Sequence, residues 1–192
     1  MKVGFYCDLH VGSPIEIKNI QDPRLAKIPV YSLGDNFDLA NCKFEDVNVL
    51  RKARDLWHLY FKDGCWIYGN HDVADLDNEH ILIKTETGTW VVVHGDFESR
   101  GKDWAVKYRS RQAGASGFKR KFMIPFIDFL GEAMDRKMSK KKLDRCLVTI
   151  HEKHPTAKGL ILAHRHPEKM QRYFHKGKEI IVLPMGYTEV DL

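Results

Sequence analysis

The chain is punctuated by short apolar runs that each stop at a polar residue, and this rhythm restricts the folds open to it more than any other feature. Lys2 to Cys7 precedes Asp8, Pro29 to Leu33 precedes Gly34-Asp35, and Cys65 to Tyr68 precedes Gly69-Asn70. Trp90 to Val93 precedes His94, and Leu160 to Ala163 precedes His164. Each run has the length and the β-branched or aromatic content of a buried strand. Where helices flank a sheet, ligand groups collect just beyond the carboxyl ends of its strands. An α/β fold with one crest of polar side chains is therefore expected.

The segments between these runs carry their own signals. Phe44 to Tyr60 places Val47, Leu50, Ala53, Leu56, Trp57 and Tyr60 at helical spacing, which predicts a helix packed on the sheet. Ile81 to Lys84 and Thr89 to Val93, separated by Glu86-Thr87-Gly88, read as a β-hairpin, and Met170 to Phe174 with Glu179 to Leu183 read as another around Lys176-Gly177. From Gly101 to Lys153 strand signals are missing and the pattern is helical, with breaks at Ala113 to Gly117 and at Met138-Ser139. At 192 residues the chain fits one domain, 1–192, with a basic helical insert at about 97–153.

Charge is unevenly distributed along it. Phe97 to Leu147 holds fourteen Lys/Arg against six Asp/Glu, a net of +8 in a chain of formal net charge +5, so the remainder carries −3. Such a segment is either a solvated helical surface or a contact for an anionic partner. Cys7, Cys42, Cys65 and Cys146 form no C-x-x-C pair, so neither a zinc ribbon nor a disulfide framework is indicated. A cytoplasmic location is expected, because Met1 runs straight into the strand-like Lys2 to Tyr6 without the regions of a signal peptide.

Five polar blocks occur in order at the ends of the apolar runs: Asp8-Leu9-His10, Gly34-Asp35-Asn36-Phe37-Asp38, Gly69-Asn70-His71-Asp72, His94-Gly95-Asp96 and His164-Arg165-His166. Singly each is weak, since a lone histidine is usually a hydrogen-bonded or surface residue. As an ordered set they resemble the calcineurin-like metallophosphoesterase superfamily, whose signature runs D-x-H, G-D-x-x-D, G-N-H-D/E, a lone His often followed by Gly, and G-H-x-H. The resemblance implies a four-layer α/β/β/α sandwich with a helical cap insert and two divalent metal ions, Mn best suited, with Fe or Zn also open. It implies that Asp8, His10 and His166 hold one ion, that Asn70, His94 and His164 hold the other, and that Asp35 bridges them. His71 would be a catalytic histidine outside the ligand set, and Asp38 its orienting carboxylate. The last block has Ala163 where the signature has Gly, so a positive φ there would be strained. Arg165 in the variable slot is open to two readings, a substrate-binding phosphate clamp or a surface residue.

Mixed imidazole, carboxylate and amide ligation suits borderline cations, and a shared carboxylate can hold two of them. The function implied is hydrolysis of a phosphodiester or pyrophosphate bond by in-line attack of a metal-bridging hydroxide, with His71 protonating the leaving oxygen. The insert bears on the substrate. Phe122 to Leu130 is apolar over most of its circumference and lies between Lys119-Arg120-Lys121 and Arg136-Lys137, with Lys140 to Lys142 beyond. Such a helix either packs in a cap or meets an anionic membrane surface, so peripheral membrane contact through 119–142, at the inner face, is one expectation. In layout, though not in substrate-binding residues, the insert is similar to UDP-2,3-diacylglucosamine pyrophosphohydrolases, which points to a small or lipid-linked anionic substrate. Two alternatives stay open: a nuclease whose basic insert binds phosphates, and a non-catalytic interaction module on the same fold.

Overall fold

Val3 to Cys7 are buried without interruption, as a strand covered on both faces must be. This strand, β1 (Lys2–Cys7), is the centre of a three-stranded sheet. It runs parallel to β2 (Val30–Ser32), with Phe5 opposite Tyr31, and antiparallel to β8 (Gly186–Asp191), with Phe5 opposite Thr188. The computed structural model describes residues 1–11, 22–39, 47–62, 65–72, 80–101, 103, 107 and 138–192.

A second sheet of five strands has the order β3-β4-β5-β7-β6. It contains β3 (Ile81–Thr85), β4 (Gly88–Val93), β5 (Gly159–Leu162), β6 (Gln171–His175) and β7 (Lys178–Val182). The central strands β4, β5 and β7 are parallel to one another, while the hairpins β3–β4 and β6–β7 add antiparallel edges. Both hairpins lie where the apolar alternation predicts them. Lys176 and Gly177 turn the second with φ of 47° and 76°, the pair of left-handed residues that a tight two-residue turn needs.

The sheets pack face to face. Val3, Phe5, Cys7 and Leu33 of the first meet Ile83, Trp90, Val92, Ile161 and Ile181 of the second in one core cluster. Helix α1 (Val47–His58) covers the outer face of the first sheet, where Trp57 meets Tyr6 edge-on at 5.5 Å between ring centroids. A longer helix, α3 (Lys140–Lys153), covers the outer face of the second with Cys146 and Ile150, one turn apart, against Leu160, Leu162 and Ile180. Ser139 caps it, its hydroxyl accepting from the Lys142 N–H. Helix, sheet, sheet, helix is the four-layer α/β/β/α arrangement. A short helix α2 (Asp96–Arg100) follows β4 and packs beside α3.

Two local expectations need correction, and one strand is additional to them. The run Cys65 to Tyr68 is not a strand. It makes a single bridge, Trp66 to Ser32, closed by Ser32 N–H to Cys65 O and Ile67 N–H to Ser32 O, before the chain bends at Asn70. Strand β8 is an element that the apolar pattern does not show, because Val190 and Gly186 are its only buried residues. On α1 the packing face is rotated, since Leu56 is 60% exposed while Arg54 and His58 are buried. Within the insert, Phe122 to Leu130 and its flanks through Lys137 lie outside the described residues, as does Cys42. Among the described residues no helix is long and apolar enough to cross a membrane.

Candidate metal centre

The carboxyl end of β1 delivers Asp8 and His10, and the turn after β2 delivers Asp35 and Asp38. The ends of β4 and β5 deliver His94, His164 and His166, while Asn70 and His71 follow the bridge at Trp66. Among the described residues, six non-glycine positions have positive φ: Asp8, His10, Asp35, His164, His166 and Lys176. Five of the six are candidate ligands. Each such residue stores about 1–3 kcal/mol of backbone strain, which persists only where surrounding structure imposes it, and such strain gathers at functional sites. Ala163 is not among them, so the alanine in that block is unstrained.

These turns bring the donors together in adjoining groups. Asp8, His10 and His166 form one, and Asp35, His94 and His164 form another, while His10 also shares a third with Asp38 and His71; donor atoms in each group lie within 4.8 Å of one another. Asn70 Oδ1 lies 3.1 Å from His94 Nε2 and so joins the second group. Close approach at the crest depends on glycine. A Cβ on Gly69 would stand 2.1 Å from Asp35 Oδ1 and 2.7 Å from the His94 ring.

The surrounding hydrogen bonds fix which atoms face inward. His94 Nδ1 donates to the Leu33 carbonyl at 2.8 Å, which leaves Nε2 toward Asp35 Oδ2 at 3.0 Å. A single carboxylate, Asp38, takes Nδ1 of His71 at 2.9 Å and Nδ1 of His10 at 3.3 Å. His10 Nε2 is thereby turned to His166 Nε2, 3.3 Å away. Two such nitrogens at this distance need a proton or a cation between them. Two buried carboxylate oxygens face only imidazole nitrogens: Asp35 Oδ2 lies 3.0 Å from His94 Nε2 and Asp8 Oδ1 lies 3.4 Å from His166 Nε2. Such contacts are favourable only with a proton or a cation between the two atoms. The donor set therefore fits divalent ions, on the residues' own chemistry.

Electrostatics in the metal-free chain say the same. Burial opposes charge on Asp35, yet the His94, His71 and His10 imidazoles outweigh it and hold the carboxyl well below its usual range. Burial likewise disfavours a charged His94, but Asp35 and Asp8 raise it to about 10. A proton on His94 supplies the positive charge that the carboxylates require. His164 is driven the other way, to a neutral form, by burial and by His94.

Residues behind the donors complete the site. Asp72 Oδ2 accepts from the backbone N–H of Asp35 and of Gly69, each at 2.8 Å, and so ties two of the polar blocks together. Burial and the Asp35 charge push its carboxyl up to about 6. Arg54 of α1 is buried with Nη1 on the Asp72 carbonyl at 2.9 Å. Sequence reasoning missed Arg54 as a brace of the site, and a buried arginine at a helix's inner face carries no local signature. Asp72 was legible only as the fourth residue of its block. Arg165 is not a surface residue: it is 2% exposed and reaches Ser99 Oγ of α2 at 3.5 Å.

No protein-family model matches this chain, and no curated protein matches it. Solved structures do resemble it in chain path. Vacuolar protein sorting 29 of Cryptosporidium parvum aligns with 96% of this chain and 74% of its own at 10% identity and a TM-score of 0.49. A conserved uncharacterized protein of Streptococcus pneumoniae, described as a predicted phosphoesterase, aligns with 99% of this chain and 83% of its own at 14% identity and a TM-score of 0.47. Wild-type vacuolar protein sorting 29 of Entamoeba histolytica, solved with zinc, aligns with 96% of this chain and 74% of its own at 18% identity and a TM-score of 0.43. At these identities the likeness concerns the fold alone.

Proposed function

We propose that this chain is a metal-dependent phosphoesterase that hydrolyses a phosphodiester or pyrophosphate bond of a small or lipid-linked anionic substrate. The observation that carries the reading is the pair of adjoining His/Asp groups, in which the buried Asp8 Oδ1 and Asp35 Oδ2 face the Nε2 atoms of His166 and His94. Asp8, His10 and His166 would hold one ion, Asn70, His94 and His164 the other, with Asp35 between them; manganese suits these donors, as do iron and zinc. When bound, such a pair supplies positive charge to phosphoryl oxygens and lowers the pKa of water.

The chain's own residues supply the rest. His71 is held by Asp38 through Nδ1, so its Nε2 is the nitrogen that carries a proton to the departing oxygen as the P–O bond breaks. Asp38 favours the imidazolium by its charge and fixes the ring by its hydrogen bond. Asp72 and Arg54 keep the Asp35 and Asn70 turns in register. The basic segment from 97 onward supports an anionic substrate, and contact of 119–142 with an anionic membrane surface belongs to the lipid-linked form of the reading.

The test is an assay of metal-stripped protein reconstituted with Mn²⁺, with Asp35→Asn alongside. Substrates are a chromogenic phosphodiester, a nucleotide-sugar pyrophosphate, a cyclic nucleotide and single-stranded DNA. Mn²⁺-dependent turnover of a small diester or pyrophosphate, lost in Asp35→Asn, is the expected result. Turnover confined to DNA would replace this reading with a nuclease. Silence on all four with ions bound would replace it with a non-catalytic module.

A further inference from the structure

His164 and His166 stand on the tightest turn of the site. Arg165 N–H donates to Ala163 O at 2.8 Å, closing a three-residue turn about His164, whose φ is 64°. This is the strained form of such a turn, and His166 beyond it is also left-handed at 45°. From the metal side the turn is held by Asp8, whose Oδ2 accepts from His164 N–H at 2.9 Å. A single hydrogen bond does not impose two left-handed histidines, so a second restraint is required.

Arg165 lies on the other side. Its guanidinium Nη1 donates to Ser99 Oγ of α2 at 3.5 Å, and α2 in turn packs beside α3. Cys146 belongs to the outer core cluster with Val93, Leu160 and Leu162, not to the cluster between the sheets. The same outer layer holds two buried carboxylates, Asp96 at 2% and Glu98 at 3% exposure, and Glu98 Oε1 accepts from Thr149 Oγ1 of α3 at 2.6 Å. Arg145 of α3 binds the Ser99 carbonyl at 2.8 Å and closes the α2–α3 layer around the group. At 2% exposure, with Nη1 on Ser99 Oγ, the Arg165 guanidinium is directed to α2.

We propose that Arg165 is a positioning residue, which pins the His164–His166 turn from behind to α2 and thereby sets both metal sites at once. This rests on the metal-centre reading above. Because the turn gives one imidazole to each ion, loosening it should weaken both sites in step. Loss of Asn70 or His10 should weaken only one.

The experiment is calorimetric titration of the metal-free chain with Mn²⁺ and with Zn²⁺, for wild type, Arg165→Met, Arg165→Lys, Ser99→Ala and Asn70→Ala. Residues that orient metal ligands typically change affinity by about 10–100-fold, and Arg165→Met is expected to lose that much at both sites together. Arg165→Lys should recover part of it by restoring the charge, and Ser99→Ala should show a smaller fall at both. If Arg165→Met leaves carboxylates too poorly compensated to fold, the Lys and Ser99→Ala variants carry the test unaided. Full binding of both ions in these variants, with a raised KM for substrate, would overturn the proposal and return Arg165 to a substrate contact. A fall at one site only would also overturn it. A wild type that takes up neither ion would overturn the metal-centre reading itself, a result distinct from both.

Discussion

Asp38 serves two imidazoles at once: its Oδ1 fixes His71 at 2.9 Å and its Oδ2 faces His10 at 3.3 Å. Burial raises its pKa, but the His71 and His10 charges dominate and keep it ionised far below the usual carboxylate range. In the proposed mechanism this one side chain orients both a metal ligand and a proton donor, and separating those roles is the most informative change at this scale. On that reading His71→Gln removes the proton donor and leaves the proposed ligand set intact. It is expected to keep both ions by elemental analysis and to lower kcat by ~10²–10⁴-fold. The defect should shrink as the leaving group becomes more acidic, toward nitrophenolate, because such a group departs without a proton. Measured over esters of graded leaving-group pKa, a constant defect or a lost ion would show that His71 acts otherwise.

Among the elements, β5 has the most exacting place. It lies between β4 and β7, all four of its residues are buried, and it leads directly into the His164 turn. Its first residue, Gly159, meets its neighbours so closely that a Cβ would stand 2.1 Å from the Glu179 carbonyl and 2.7 Å from Trp90. Backbone on one side and a buried indole on the other leave little room for relaxation. Gly159→Ala is therefore expected to cost about 1–3 kcal/mol, the usual range for an overpacked core. Urea denaturation measures this. A midpoint equal to that of wild type would mean that the sheet spreads at little cost. The hairpins at either edge, by contrast, follow from local pattern and turn residues alone, as Lys176-Gly177 illustrates.

Across the whole molecule the layers meet water unequally, and the α1 side carries a titrating group remote from the metal ligands. His58 stacks on Trp66 with ring centroids 4.1 Å apart at 7°, and burial, helped by the Arg54 charge, lowers its pKa to about 4. The unfolded chain protonates this group near its ordinary value of about 6.5. Between those values the unfolded state binds the extra proton. The contribution of His58 to stability is thus complete above about pH 6.5 and is lost as pH falls toward 4. Allowing for solvent screening, it amounts to something on the order of 1–2 kcal/mol. His58→Phe keeps an aromatic ring for the stack without the proton. The stability difference between wild type and this variant should change by that amount between about pH 7.5 and about pH 4.5 in denaturant titrations. A difference independent of pH would remove His58 from the account. The order of the polar blocks, the strands β1, β2, β4 and β5, and both hairpins are legible in the sequence because short apolar runs and turn chemistry act between near neighbours. The sequence also shows where the candidate ligands stand along the chain, each just past an apolar run. It does not show β8, whose place at the edge beside β1 depends on partners nearly the whole chain away. Nor does it show that α1 turns Arg54 inward and Leu56 outward, or that Arg165 is enclosed. Those outcomes depend on which buried charge finds a partner once four layers have closed. Closure brings Asp8 within 2.9 Å of the His164 N–H across 156 positions of sequence, a contact that no local pattern encodes.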